Sequence, residues 1–269
     1  EQLAEMVTRR ATTIAALGDI DGVGLHKLVN HVLAGGVNGL WVLGSTSEFP
    51  GFSEEERSTV LAECIQAARG RATIIAGATS LDIRQTVRYA EEAAAAGADA
   101  CFIVLPYYFV LDQAESVRYI RTVAEAVPLP LVLYDNPFSS GVKLDAGALL
   151  ELAKIPNFIG IKDSSGDFLR FQKLVSGLDA AGSCSLLQGL EPLAAPSLLA
   201  GAHGAVLAMA SIAPGLCARL HTAALQGDIP AIGKLQERMI RLCQLYELAG
   251  GPTDGAFFAG VKAALEVLG

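Results

Sequence analysis

Short runs of consecutive apolar residues recur along the chain, and each is followed by a longer stretch with helical periodicity. Residues 39–43 (Gly-Leu-Trp-Val-Leu) form one such run, and residues 72–76, 100–105, 131–134, 158–161, 184–188 and 205–208 repeat it. These runs have strand length. They are apolar throughout rather than alternating, which suits parallel strands buried on both faces. Between them lie helical patterns over residues 53–69, 81–96, 112–126, 145–153, 167–176, 192–200 and 214–226. Local signals mark the helix ends. Ser53 occupies an N-cap position with Glu56 three residues on, the capping-box spacing, and Gly70 and Gly97 stand where helices close. Ahead of these, residues 12–17 read as a strand and 21–34 as a helix. Eight strand–helix pairs at roughly 28 residues each match a closed (β/α)8 barrel.

An open doubly wound sheet more often carries a glycine-rich dinucleotide loop after its first strand. Here Gly22-Val-Gly24 lacks the third glycine. Residues 227–269 hold two further helical patterns and no strand. The expected fold is therefore α/β: a (β/α)8 TIM barrel over residues 1–226, with residues 227–269 as a C-terminal helical extension of the same domain.

Composition narrows the function classes. Of 269 residues, 20 are basic and 28 acidic, a net charge of −8. A nucleic-acid binder carries a basic excess or stripe instead. Apolar residues make up 52% and charged residues 18%, as a large buried core requires. The mean hydropathy of +0.42 raises the question of a membrane, but no apolar run approaches the ~20 residues of a spanning helix. Arg9 and Arg10 are not followed by an apolar segment, so no signal peptide is expected. Five cysteines are scattered without a CxxC, which suggests buried free thiols in a reducing, cytoplasmic setting. The four histidines show no HxxxH pair, so metal catalysis is not expected.

In a (β/α)8 barrel the active site lies at the C-terminal strand ends. Lys162 is the most informative residue there. Of seven lysines it alone ends an apolar strand run, Phe158-Ile-Gly-Ile-Lys162. An ammonium at the mouth of an apolar barrel is poorly solvated, and a neutral amine there attacks carbonyl carbons to form a Schiff base. The bland alternative is a barrel-closing salt bridge to Asp163 or Glu48. Tyr134 ends the preceding strand, where its phenol can act as an acid–base partner or stand as an ordinary core tyrosine. Ser45 and Thr46 lie in a turn before a helix, where hydroxyl and N–H groups suit a carboxylate. Ordinary turn chemistry explains them equally well. Residues 39–46 superficially look like a P-loop but lack its phosphate-binding lysine.

Four motifs resemble those of the dihydrodipicolinate synthase / N-acetylneuraminate lyase family, in order and spacing. They are Gly44-Ser-Thr-Ser-Glu48, Pro106-Tyr-Tyr108, Tyr134-Asp-Asn-Pro137 and Gly160-Ile-Lys-Asp163. The family patterns are Gly-[ST]-Thr-Gly-Glu, Pro-Tyr-Tyr, Tyr-Asn-x-Pro and Gly-[IV]-Lys-[DE]. The resemblance runs from about Gly22 to Leu268. It implies a (β/α)8 class I aldolase or lyase acting on pyruvate or another 2-keto acid. It also implies no metal or organic cofactor, and a homotetramer built as a dimer of dimers. By resemblance Lys162 is the Schiff-base lysine and Tyr134 the proton-shuttling phenol. Thr46 binds the keto-acid carboxylate and Ser45 links the tyrosines. Tyr108 enters the neighbouring subunit's site, with Tyr107 beside it as the alternative, and Gly189 and Val206 line the pyruvate pocket.

Several departures bear on substrate. Synthases of the family place an arginine shortly after Tyr-Asn-x-Pro to bind a distal carboxylate, and here the stretch is Phe138-Ser-Ser-Gly141. Sialic acid lyases carry Asp-Glu after strand seven, and here Leu190-Glu191 keeps only the second acid. Ser47 stands where the family has glycine, altering the turn or adding a hydroxyl to the pocket. Residues 12–19 lack the family's Thr-Pro-Phe. The expected function is a lyase or aldolase for pyruvate or a 2-keto-3-deoxy sugar acid. A dihydrodipicolinate synthase condensing pyruvate with aspartate semialdehyde is the first alternative. A non-catalytic keto-acid-binding barrel is the second.

Overall fold

The computed structural model describes residues 20–181, 184–251 and 253–269. The strand expected at 12–17 lies outside them. The chain divides into two compact units, one of Ile74–Val206 and one of the residues up to Thr73 together with Leu207–Gly269.

The first unit opens with α1 (Gly22–Ala34), β1 (Gly39–Val42) and α2 (Glu54–Ala68). Asp21 caps α1 by accepting from the Gly24 N–H at 2.8 Å. The capping box expected at α2 is formed: the Glu56 N–H donates to Ser53 Oγ at 3.2 Å, and Glu56 Oε2 accepts from the Ser53 N–H at 2.7 Å. These contacts satisfy donors that a helix start leaves unpaired. The end of α2 differs by one residue from expectation. Arg69 itself takes the left-handed conformation, φ 50°, ahead of Gly70.

The second unit begins at Ile74 within β2 (Thr73–Gly77), followed by α3 (Ile83–Ala96), β3 (Ala100–Val104) and α4 (Gln113–Ala126). It continues with β4 (Leu131–Asp135), the short α5 (Pro137–Ser140), α6 (Ala146–Leu152) and β5 (Phe158–Asp163). Then come α7 (Phe168–Ala181), β6 (Ser185–Gln188), α8 (Ala194–Ala200) and β7 (Gly204–Ala205). Strands β2 to β7 pair in chain order and all in parallel. Ile103, Leu133, Ile161 and Leu186 share one face of this ladder and are fully buried. Each such side chain contributes about 1.5–3 kcal/mol by leaving water. Strand β5 runs two residues further than its apolar stretch, through Lys162 and Asp163. Strand β7 is shorter than expected, because Ala208–Ser211 turns as a 3-10 helix.

The chain then adds α9 (Pro214–Gln226), α10 (Ile229–Leu248) and α11 (Asp254–Leu268) to the first unit. Helix α1 meets α9 where Gly35 lies on Pro214, and a side chain at Gly35 would run into the proline ring. Among the described residues no helix is long and apolar enough to cross a membrane. Of the five free cysteines, Cys64, Cys101 and Cys184 are buried, and burial pushes each thiol up to about 12. Cys217 and Cys243 are only half-buried, a correction to the uniform burial expected from their apolar neighbourhoods.

Candidate active site

Register places the two principal candidates side by side. Tyr134 pairs with Lys162 across β4 and β5, flanked by Val104 on β3 and Leu187 on β6. Directly paired residues of parallel strands point to the same face. Both are 7% exposed, and Lys162 Nζ lies 3.8 Å from the centroid of the Tyr134 ring. Phe102, two residues below on β3, meets the Tyr134 ring edge-on at 6.4 Å. A desolvated amine thus rests on the electron-rich face of a phenol.

The next row of the ladder faces the other way. Asp135 pairs with Asp163, and the carboxylates of both reach Arg170 of α7. Asp163 Oδ2 accepts from Arg170 Nη2 at 2.7 Å, and Asp135 Oδ2 lies 2.6 Å from the same nitrogen. Arg170 Nη1 also donates to the Leu144 carbonyl. The loop between β5 and α7 builds this arrangement from local bonds. The Ser165 N–H donates to Asp163 Oδ1 at 2.7 Å, the Asp167 N–H to Ser165 Oγ at 3.1 Å and the Arg170 N–H to Asp167 Oδ1 at 3.0 Å. Burial is the main cause that pushes Asp135 up to about 6, against the pull of Arg170, with the Asp163 charge adding to the push.

These contacts bear on the salt-bridge alternative for Lys162. Asp163 is taken by Arg170 on the opposite strand face, and Glu48 is taken by Lys262.

Gly189 and Val206 share the Lys162 face. Leu187 is the register partner of Lys162 and of Gly204, and Gly189 and Val206 lie two residues beyond each. A Cβ at Gly189 would run into Ser164 Oγ and stand 3.1 Å from Lys162 Cε. The glycine is therefore required by close approach rather than by a turn. Ser164 was not anticipated from the sequence. It is 3% exposed, and its hydroxyl has no hydrogen-bond partner among the described residues. Its signal is the i, i+2 spacing from Lys162, which returns it to the same side of the chain. Glu191 is buried in a 3-10 turn beyond β6. Gln188 steadies that turn by accepting from the Leu190 N–H at 2.8 Å while donating to Ser197 at 2.7 Å.

The tyrosine loop after β3 is open. Tyr108 is 74% exposed and stacks edge-on with Phe109 at 4.9 Å, and Tyr107 is 37% exposed. Where the resemblance leads to an arginine, residues 138–141 form a self-satisfied turn. Ser140 is buried and bonds the Asn136 and Val142 carbonyls, while Phe138 projects into solvent.

In the first unit, Ser45–Ser47 form a 3-10 turn whose three residues are half-buried. Ser47 Oγ donates to the Gly44 carbonyl at 2.6 Å, so its hydroxyl closes the turn. Leu43 and Glu48 bracket the turn at φ 63° and 57°. Two non-glycine residues in left-handed conformation cost of order 1–3 kcal/mol each, a strain concentrated at functional loops.

The family model of the dihydrodipicolinate synthetase family matches residues 2–269. A 4-hydroxy-tetrahydrodipicolinate synthase of Phenylobacterium zucineum is 35% identical over 84% of this chain and 76% of its own length. The dihydrodipicolinate synthase structure from Bacteroides thetaiotaomicron superposes with a TM-score of 0.88 at 32% identity, over 95% of this chain and 87% of that one. A prophage protein of the dihydrodipicolinic acid synthase family from E. coli K12, solved in complex with pyruvate, also gives 0.88, at 29% identity over 95% and 85% of the two chains. The chain belongs to the dihydrodipicolinate synthetase family of (β/α)8-barrel lyases and aldolases.

Proposed function

We propose that the protein is a class I aldolase or lyase that forms a Schiff base between Lys162 and pyruvate or a 2-keto-3-deoxy sugar acid. The in-register pair of a buried lysine and a buried tyrosine on one ladder face carries this reading. In the cleavage direction Lys162 Nζ adds to C2 of the keto acid and water leaves, giving an iminium that withdraws electrons. Tyr134 takes the proton of the C4 hydroxyl as the C3–C4 bond breaks and an aldehyde departs. The electron pair of that bond forms an enamine, which is protonated at C3. Hydrolysis then returns pyruvate and the free lysine. Gly189 and Val206 wall the keto acid, and Glu191 accepts hydrogen bonds from substrate hydroxyls.

The turn at residues 138–141 supports an aldehyde partner without a distal carboxylate, since bidentate capture by arginine is lost there. The second reading is the synthase reaction with aspartate semialdehyde, favoured by the name of the 35% identical relative. Steady-state assays separate the two. Turnover of 2-keto-3-deoxy sugar acids with aspartate semialdehyde inert supports the first. Condensation of pyruvate with aspartate semialdehyde as the sole reaction overturns it.

We place the enzyme in the cytoplasm, which keeps five free thiols reduced. We further propose a homotetramer, a dimer of dimers in which Tyr108 completes a neighbour's site. The exposed run Tyr108, Phe109 and Val110, with Phe138 also exposed, supports it, because exposed apolar patches mark interfaces. Light scattering should give four 28.0 kDa chains, and a monomer at working concentration would reject it.

A further inference from the structure

The row behind Tyr134 and Lys162 holds one cation between two carboxylates. Asp135 and Asp163 are each the next residue after the proposed reacting pair, and they are register partners. A single nitrogen, Nη2 of Arg170, serves both, and all three residues are buried. Strand alternation makes any shift of these carboxylates a shift of the strand ends that carry Tyr134 and Lys162. The cluster is one positive charge short of balance. Asp135, the second carboxylate, stands where the family pattern has asparagine. Its Oδ1 and the Arg170 Nε lack hydrogen-bond partners among the described residues, as expected of a cluster with room for one proton.

We propose that Asp135, Asp163 and Arg170 form a proton-sensitive clamp that positions Tyr134 and Lys162 for reaction. With Asp135 protonated, one carboxylate faces one guanidinium and the clamp is neutral. With Asp135 ionised, Arg170 is shared and the two strand ends are drawn to a common point. The charged groups around Asp135 are Asp163 of β5, Arg170 of α7 and Lys143 of the loop before α6, and Lys143 is engaged with Asp167 at 2.9 Å. Burial sets the protonation of Asp135 near pH 6, where this change takes place. All three members are positioning residues, and their role rests on the Schiff-base reading of Lys162.

The test uses the full chain and two readouts at Lys162 between pH 5 and 8, each read by peptide mass. One is borohydride trapping with pyruvate. The other is reductive methylation with formaldehyde, which needs no keto-acid site. Wild type should show an inflection near pH 6 in both rates, and Asp135→Asn should lose it. The triple variant D135N/D163N/R170M removes every charge of the cluster and so leaves no unpaired buried ion. It should fold and trap pyruvate at least tenfold more slowly, with the half-saturating pyruvate concentration changed less than threefold. Arg170→Lys should recover part of the rate. An inflection that persists in Asp135→Asn, or wild-type trapping by the folded triple variant, would overturn the clamp. If Lys162 is methylated with the predicted pH dependence but never traps pyruvate, the Schiff-base reading fails while the proton-linked coupling of the cluster to Lys162 stands.

Discussion

Residues 134 and 135 of β4, like 162 and 163 of β5, are chain neighbours on opposite faces of one ladder, and the two faces hold buried charge in different ways. On one side the Lys162 Nζ lies over the Tyr134 ring, 3.8 Å from its centroid. On the other a guanidinium is met by two carboxylates and a backbone carbonyl. A buried charge that only stabilises is paired and hydrogen-bonded, because desolvation is otherwise too costly. The adjacent rows thus set a side-chain nitrogen stacked on a ring beside a guanidinium held in an ion cluster, and the proposed Schiff-base role falls to the first.

Four substitutions break or sharpen this contrast. Lys162→Ala removes the amine and should lower turnover on the order of 10³-fold or more, with no trapped keto acid. Residual turnover within tenfold of wild type would assign the chemistry elsewhere. Tyr134→Phe keeps the ring beneath the lysine but deletes the hydroxyl. It should lower kcat by roughly 10²–10⁴-fold while leaving Schiff-base trapping measurable, since proton transfer and imine formation are separate steps. Gly189→Ala pushes a methyl against Ser164 Oγ and the lysine stem. Crowding of this kind costs about 1–3 kcal/mol, so thermal unfolding and trapping rate should both fall.

The smallest effect belongs to the opposite face. Folded Asp135 keeps its proton up to about pH 6, whereas an unfolded aspartate releases it near pH 4. Between these values the folded chain binds more protons, so stability falls as pH rises through the window and stays lower above it. Asp135→Asn should therefore stabilise the protein at pH 7.5 by on the order of 1–3 kcal/mol, with the gain vanishing below pH 4. Denaturant melts at both pH values check it, and a gain independent of pH would contradict the assigned ionisation.

Local signals made much of this molecule legible in its sequence. The Ser53–Glu56 capping box and the glycine closing α3 involve residues a few positions apart, and both are formed. The apolar strand runs were equally visible, because parallel strands buried on both faces leave no polar alternation. Strand β5 carries on past its apolar residues, since Lys162 and Asp163 are polar although the ladder continues. Arg170 was invisible as a partner. An arginine on a helix reads as solvated surface, and its carboxylates lie 7 and 35 positions away in the chain. The partner of Glu48 was hidden similarly, 214 positions along at Lys262. Strand β7 ends at Ala205 although residues 206–208 are also apolar, because the chain leaves the ladder there and turns into a 3-10 helix from Ala208.

The central claim is that the lysine on the ring-bearing face is the nucleophile. Borohydride reduction in the presence of pyruvate, followed by intact-mass and peptide mapping, tests it most directly. One reduced pyruvate unit per chain, confined to the peptide carrying Lys162 and absent from Lys162→Ala, is the predicted result. An unmodified chain, or an adduct on any other lysine, would contradict it.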